Sequence, residues 1–408
     1  MGRGGWAWGL VCWVFLKAFS AWAADWTVSP SLDVSQEFNS NVFLRSEDVV
    51  EDAITRFKPA VQVAGRTERS RVTLDGALNG ELYWKDSSLD TVEAEVSSGF
   101  AHEWTERLTT TLGARFAKDE TLESELEATG LVTRRVERRR VWGSMGATVS
   151  LSERFLLDVG GDVSCSRYPD GTFPDANLYQ LSVNPGWRLS QRDTAGVFAS
   201  GSVTDYEDSL NNIIRNISGG LFWKRDLSEG SRFSLQGGYR VTWQEQDVLR
   251  GRILVNPDGS FGGVALERSR RRSRDDGFVF SGTLQRQWTE RVSTSFSAGR
   301  EQVSSVTSES TERTYLRAGA GWQLTERLSA GLDVGYDLNT RQLGSQVDAH
   351  TLRVSPALRW RISENLLLRA GGSYETATDD VGGDTNDRRR FRAWVGLTWQ
   401  LPRRLENP

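Results

Sequence analysis

The sequence predicts an all-β fold, a transmembrane antiparallel up-and-down β-barrel of about 18 strands. Three observations carry that expectation. A tripeptide of Ser or Thr, Glu or Gln, and usually Arg recurs eight times, most often 38 residues apart. The segments between copies alternate apolar and polar residues with a period of two. Tryptophans collect at one level, just before the tripeptides.

The copies are Thr67-Glu68-Arg69, Thr105-Glu106-Arg107, Ser152-Glu153-Arg154, Ser190-Gln191-Arg192, Ser228-Glu229-Gly230, Thr289-Glu290-Arg291, Thr325-Glu326-Arg327 and Ser363-Glu364-Asn365. A unit of that length holds two strands, one tight turn and one variable loop, so each repeat is a hairpin. Eight tight turns and the pair that closes the cylinder account for the strand number, with both chain ends on the turn side, taken as periplasmic.

Leu352, Val354, Pro356, Leu358, Trp360 and Ile362 share one face of a segment, and Arg353, Ser355, Ala357, Arg359 and Arg361 share the other. Successive side chains of a strand point to opposite faces, whereas a helix needs apolar steps of three and four. A soluble sandwich would use shorter strands around a two-sheet core. Long strands with one apolar and one polar face suit a tilted membrane crossing. Trp104 and Trp288 directly precede their turns, Trp187, Trp322 and Trp360 stand three residues before theirs, and Trp223 five before. That level suits an aromatic girdle. The final strand runs from Phe391 to Leu401, repeats Trp322-Gln323-Leu324 as Trp399-Gln400-Leu401, and stops at Pro402. Pro59, Pro185 and Pro356 fall inside strands, where proline removes a ladder hydrogen bond, so bulges are expected there.

Composition narrows the function classes. Residues 1–23 carry Arg3, an apolar stretch from Trp6 to Leu16, and Ala21-Trp22-Ala23, the layout of a secretory signal cleaved after Ala23 or Ala24. Residues 24–408 are then a single barrel domain. Loss of Arg3 and Lys17 takes the net charge from −4 to −6, too mild to point to nucleic acid. Cys165 alone remains, which excludes an internal disulfide and a cysteine-ligated metal. His102 and His350 lie far apart and in no nucleophile motif, so no catalytic residue is assigned. Asp379, Asp380, Asp384, Asn386 and Asp387 form an oxygen-rich loop without EF-hand spacing, and neither a metal nor a cofactor is expected.

Assigning the polar face to the lumen sorts the charges into arcs. Asp75, Glu81, Glu93, Glu95 and Glu103 are acidic and early. Arg56, Lys58, Arg66, Arg71, Arg353, Arg359, Arg361, Arg369 and Arg392 become neighbours when the barrel closes. Either the two arcs set a transverse field that tunes passage of anionic or zwitterionic solutes, or opposite charges pair across a hydrated wall without selectivity. Arg268, Arg270, Arg271, Arg272 and Arg274 form an outer basic loop that either grips phosphates of lipopolysaccharide or an acidic polysaccharide, or is a solvated face. The acidic run Asp119, Glu120, Glu123, Glu125 and Glu127 reads as a solvated face. Lys118–Arg138 and Glu245–Asp275 are the segments long enough to fold into the lumen. Both are expected to project instead, the second as a hairpin extending the wall around Asn256-Pro257-Asp258-Gly259.

Trp26-Thr27-Val28-Ser29-Pro30-Ser31-Leu32 leads into Glu37-Phe38-Asn39-Ser40-Asn41-Val42-Phe43. This resembles the opening of the second putative β-barrel porin family and of related outer-membrane barrels of exopolysaccharide gene clusters, with Ser40 where Asp is common. The resemblance implies an outer-membrane barrel tied to envelope polysaccharide and transfers no catalytic residue. The expected protein is therefore not an enzyme. It is a pore or accessory protein of the cell outer membrane, in exopolysaccharide export, selecting by pore size and lumen charge. A general diffusion porin for small solutes is the nearest alternative, and an outer-membrane hydrolase or a structural or adhesion barrel are the other classes. Expected partners are outer-membrane lipid and lipopolysaccharide, the barrel-assembly machinery, and polysaccharide or small solutes, without nucleic acid.

Overall fold

The repeated tripeptide ends a strand because its hydroxyl closes the turn. Thr67 Oγ1 accepts the backbone N–H of Arg69 (3.3 Å) and of Ser70 (2.9 Å), and Thr325 Oγ1 accepts those of Arg327 (3.3 Å) and Leu328 (3.0 Å). Thr105, Ser152 and Ser190 do the same. At these five reversals a side-chain acceptor thus satisfies donors that the ladder leaves unpaired.

In the computed structural model, residues 25–128, 134–208, 211–255, 261–304, 306, 310–341, 348–381, 384–401 and 403–405 are described. The elements are β1 (Asp25–Asn39), β2 (Asp52–Arg66), β3 (Ser70–Tyr83), β4 (Thr91–Thr105), β5 (Leu108–Glu120), α1 (Thr121–Ala128), β6 (Glu137–Ser150), β7 (Phe155–Arg167), β8 (Asp175–Arg188), β9 (Asp193–Glu207), β10 (Ile213–Ser228), β11 (Ser231–Val255), β12 (Phe261–Thr289), β13 (Val292–Ser304), β14 (Ser310–Gln323), β15 (Leu328–Arg341), β16 (Asp348–Arg361), β17 (Leu366–Val381), β18 (Asp384–Gln400) and β19 (Arg403–Leu405). Each strand pairs antiparallel with its sequence neighbour, and β1 pairs with β18 from Ser31↔Gln400 to Asn39↔Arg392, which closes an 18-strand barrel. β19 continues β18 past Pro402 and pairs with Trp26–Val28 of β1. The expected fold and strand number are borne out. The leader assigned to residues 1–23 and the Asn256-Pro257-Asp258-Gly259 turn lie outside the described residues.

All eight tripeptides sit on one rim, the short-turn rim, and the longer connections sit on the other. Trp104, Trp187, Trp223, Trp288, Trp322 and Trp360 are exposed on the outer face near the short-turn rim. Trp104 and Trp288 each donate their indole N–H to a threonine six residues on, Thr110 (2.9 Å) and Thr294 (2.8 Å), keeping the polar edge of the ring paired at the girdle.

The prolines do not make bulges. Beside Pro59, Pro185 and Pro356 the ladder skips two residue pairs on one side, to β3, β9 and β17 respectively, and resumes in the same register. On the other side the pairs Leu32↔Pro59, Leu157↔Pro185 and Leu332↔Pro356 are kept. The absent N–H therefore opens one seam without adding a residue. Register shifts occur instead at turns, as between Glu103 and Thr105.

β11 and β12 pair from Ser231↔Arg286 to Val255↔Phe261, so Glu245–Asp275 extends the wall as a projecting hairpin, as expected. The described residues of Lys118–Arg138 do not project. Leu122 and Leu126 of α1 are buried with Leu44 of the β1–β2 connection and Ala377 of β17, so the helix packs onto the inner wall. Two buried leucines on so short a helix could not hold it against water alone, and the polar contacts described next fix its place.

Candidate functional site

The site is the lumen, and period-two alternation builds it. Register places Lys58, Arg66 and Arg56 of β2, Arg71 of β3, Arg353, Arg359 and Arg361 of β16, Arg369 of β17 and Arg392 of β18 on the inner face, because each pairs with residues whose alternates face lipid. Asp75 and Glu81 of β3 and Glu93, Glu95 and Glu103 of β4 share that face. The structure thus brings the two sets to adjacent inner arcs, and then divides them by height.

Towards the long-loop rim the charges are matched. Arg56 bridges Glu37 and Glu81, the latter at 2.7 Å. Arg115 meets Glu95 at 2.9 Å, and lower on the wall Arg369, the register partner of Arg359, meets Asp33. The densest network lies under α1. Glu375 is shared by Arg353 (2.8 Å), Arg390 (2.7 Å) and Arg392 (2.7 Å). Glu123 of α1 reaches down to Arg390 (2.5 Å) and Arg392 (3.2 Å). On the opposite side of the helix Glu125 pairs with Arg138 (2.6 Å), which also holds Asp119 (2.8 Å), and Arg135 pairs with Glu120 while lying 4.8 Å over the Tyr83 ring. Asp119, Glu120, Glu123 and Glu125 are therefore ligands of arginine and not a solvated face. Desolvation raises the Glu123 carboxyl, and the guanidinium groups of Arg390 and Arg392 more than reverse this, bringing it to about 2. Burial pushes Glu125 upward, and Arg138 recovers only part of the shift.

A second insert comes from β13–β14, which sequence reasoning did not single out. Ser310, Thr311, Glu312 and Arg313 are all buried, so both faces of this hairpin end are covered. Glu312 reaches Arg240 of β11 (3.4 Å) and Arg300, while Arg313 holds Asp337 of β15 (2.8 Å). Val306 packs with Val136 and Tyr168 from the far side of the mouth. The only sequence signal is the interruption of alternation, since Ser-Thr-Glu-Arg offers no apolar face.

An 18-strand wall at ordinary spacing and tilt measures roughly 35 Å between backbones, and a helix with side chains occupies about 10–12 Å. The described inserts narrow the mouth, α1 from one side and the β13–β14 connection by reaching across to Val136 and Tyr168.

Towards the short-turn rim the cations stand apart. Among the described residues Arg66, Arg71, Arg359 and Arg361 make no ion pair there, and neither does Lys58, midway along β2. A recess of about 710 Å³ at the same level adds Arg188, Lys224 and Arg232, basic residues that the sorting by closing strands missed. Of these, Arg232 leans on Asp226 (3.4 Å).

The remaining sequence candidates fall outside the lumen or into strands. His102 faces outward, its Nδ1 2.8 Å from Ser70 Oγ and its ring edge-on to Trp104; among the described residues no carboxylate completes a triad. His350 also faces outward, beside Tyr336 (2.8 Å). Asp379 and Asp387 lie in paired strands, bound to Arg388 and Arg389, and not in an open loop. Arg268, Arg270, Arg272 and Arg274 lie on β12, also in a strand and not a loop, on its outer face, while Arg271 faces the other way.

With this geometry in place, comparison decides the family resemblance. Residues 21–197 match the family described as putative beta-barrel porin 2. The likeness read from the first strand is borne out over that stretch, and the family matched is one of porins and not of enzymes. No curated protein matches the chain. Among solved structures it is similar to the outer membrane protein opdK from Pseudomonas aeruginosa (10% identity, TM-score 0.45, 92% of this chain and 99% of that one). It is also similar to OccAB3 from Acinetobacter baumannii (8%, TM-score 0.44, 93% and 99%) and to the ferric-catecholate import receptor Fiu from E. coli K12 (8%, TM-score 0.45, 91% and 81%). An apolar outer belt on a closed barrel of porin type places the protein in the cell outer membrane.

Proposed function

We propose that this barrel is a passive conduit that selects by the width of its mouth and by wall charge, favouring anionic solutes, and that it catalyses no bond chemistry. The observation that carries the reading is the arc of Arg66, Arg71, Arg359 and Arg361 near the short-turn rim, with Lys58 midway up β2, cations without ion pairs among the described residues. A transverse field of this kind lowers the entry barrier for anions. Residues 1–23 direct secretion, the barrel-assembly machinery inserts the mature chain, and the short-turn rim faces the periplasm, where exported material would enter. Anionic exopolysaccharide is the solute class we assign, on the first-strand motif together with the basic arc. The inserts at the mouth favour a selective conduit over general diffusion. Planar-bilayer recording of the refolded protein tests this: discrete channel openings are expected, and silence from a folded barrel overturns it.

A further inference from the structure

We propose that the outer face of the β10–β11–β12 wall binds the phosphorylated headgroup of lipopolysaccharide through a row of arginines set at the membrane surface. The inference rests on the proposed orientation, with the long-loop rim outside.

The level of the row follows from register. Phe233 on β11 pairs edge-to-face with Trp223 at the short-turn girdle (5.5 Å between centroids). Trp243 lies ten residues further along the same face of β11. Ten residues rise about 33 Å along a strand, and about 25 Å after tilt, the height of the apolar band of an outer-membrane barrel. Between them the outer face is lipid-like: Leu221, Leu235, Tyr239 and Phe278 are exposed, Phe278 by 73%. Trp243 therefore marks the opposite interface, and the residues just beyond it on the hairpin stand at headgroup height.

Arginines begin at that height. Arg215 of β10 and Arg274 of β12 are the register partners of Trp243, one on each side. Arg272, Arg270 and Arg268 follow at alternate positions, all outward and all exposed. The acids beside them are outnumbered. Glu245 is shared by Arg215 (3.3 Å), Arg270 (3.1 Å) and Arg272 (3.3 Å), Asp247 faces Arg268 at 3.9 Å, and Asp276 is taken by the Tyr239 hydroxyl. One carboxylate cannot satisfy three guanidinium groups with five N–H donors each. Two cations flanking an interfacial indole, above an apolar wall and below a further ladder of arginine, match an acylated sugar bearing phosphates: acyl chains on the wall, phosphates on Arg215 and Arg274. A soluble acidic polymer would have no use for the apolar part of this surface.

The test uses refolded, lipopolysaccharide-free protein in detergent, with diphosphoryl lipid A and its enzymatically dephosphorylated form as probes and native mass spectrometry as readout. The wild type should prefer the diphosphoryl form by about tenfold, and Arg215→Ala/Arg274→Ala should abolish that preference. Arg271→Ala removes the same charge from the other face of β12 and should leave the preference intact. Equal binding of the two probes by the wild type, or an equal loss in Arg271→Ala, overturns the proposal. Heat-modifiable gel mobility verifies that each variant is a folded barrel, and Arg215→Lys/Arg274→Lys should restore part of the preference. Labelling Ser88→Cys, exposed in the β3–β4 connection on the long-loop rim, in a Cys165→Ser background with an impermeant maleimide on intact cells checks orientation separately. Labelling only after permeabilisation would overturn the orientation whatever the lipid result.

Discussion

Glu123 of α1 and Arg390 of β18, 267 residues apart in the chain, meet at 2.5 Å on the inner wall. Arg390 is fully enclosed, whereas the Glu123 side chain keeps 43% of its exposure. The two ends of this contact should therefore behave differently. Glu123→Ala is expected to release α1 and raise single-channel conductance, at a cost to barrel stability below about 1 kcal/mol because solvent screens the exposed partner. Arg390→Ala leaves Glu375 enclosed with less compensation and should cost about 3 kcal/mol. Denaturant unfolding followed by tryptophan fluorescence, with conductance in parallel, separates the two effects.

Acidification should open the mouth only at low pH. Docking depresses the Glu123 carboxyl to about 2. Its contribution is fully present above the free carboxylate value, near 4.5, and is lost as pH falls through the docked value. Glu125 shifts the other way, so its protonation at higher pH does not weaken docking. Conductance should hold steady from pH 7 to about 5 and rise between about 4.5 and 2. A rise centred near pH 6 would contradict this linkage.

Gly196 should not tolerate a side chain. A Cβ there would stand 2.2 Å from the Pro185 carbonyl oxygen and 2.7 Å from the Phe222 ring. The ladder gap beside Pro185 lets β8 and β9 approach, and Phe222 covers the glycine from the lumen. Gly196→Ala is expected to destabilise the barrel by about 1–3 kcal/mol. Adding Phe222→Ala should recover little, because the carbonyl clash is with backbone, and urea unfolding of the single and double variants measures this.

How much of this was legible in the sequence depends on which force sets each part. The barrel was readable because side chains of a strand alternate and lipid demands one apolar face, so Leu352 to Ile362 announced their own facing. The turns were readable because the chain places Ser or Thr at every reversal, and at most of them the hydroxyl accepts the turn's backbone N–H groups. Facing alone placed the inner charges. Their partners were not readable. Arg390 finds Glu123 only through the tertiary path of α1, and a run such as Asp119 to Glu127 looks the same whether it meets water or arginine. Pro356 was read as a bulge because one strand does not reveal which neighbour loses its hydrogen bond. The β13–β14 insert left only an interruption of alternation, since much of the burial there rests on ion pairs.

The tripeptide itself can be tested. Thr325→Val removes the acceptor of the Arg327 and Leu328 N–H groups while keeping shape. The expected loss is about 1 kcal/mol, with Thr325→Ser close to wild type. Equal stability of all three proteins in urea would show the hydroxyl to be dispensable.

The central claim is that cations near the short-turn rim, without ion pairs among the described residues, select anions. Reversal potential under a salt gradient, for the wild type and for Arg359→Glu/Arg361→Glu, tests it most directly. The account predicts anion preference in the wild type and a shift towards cations in the variant, with conductance retained. A cation-selective wild type, or an unchanged reversal potential in the variant, would contradict it.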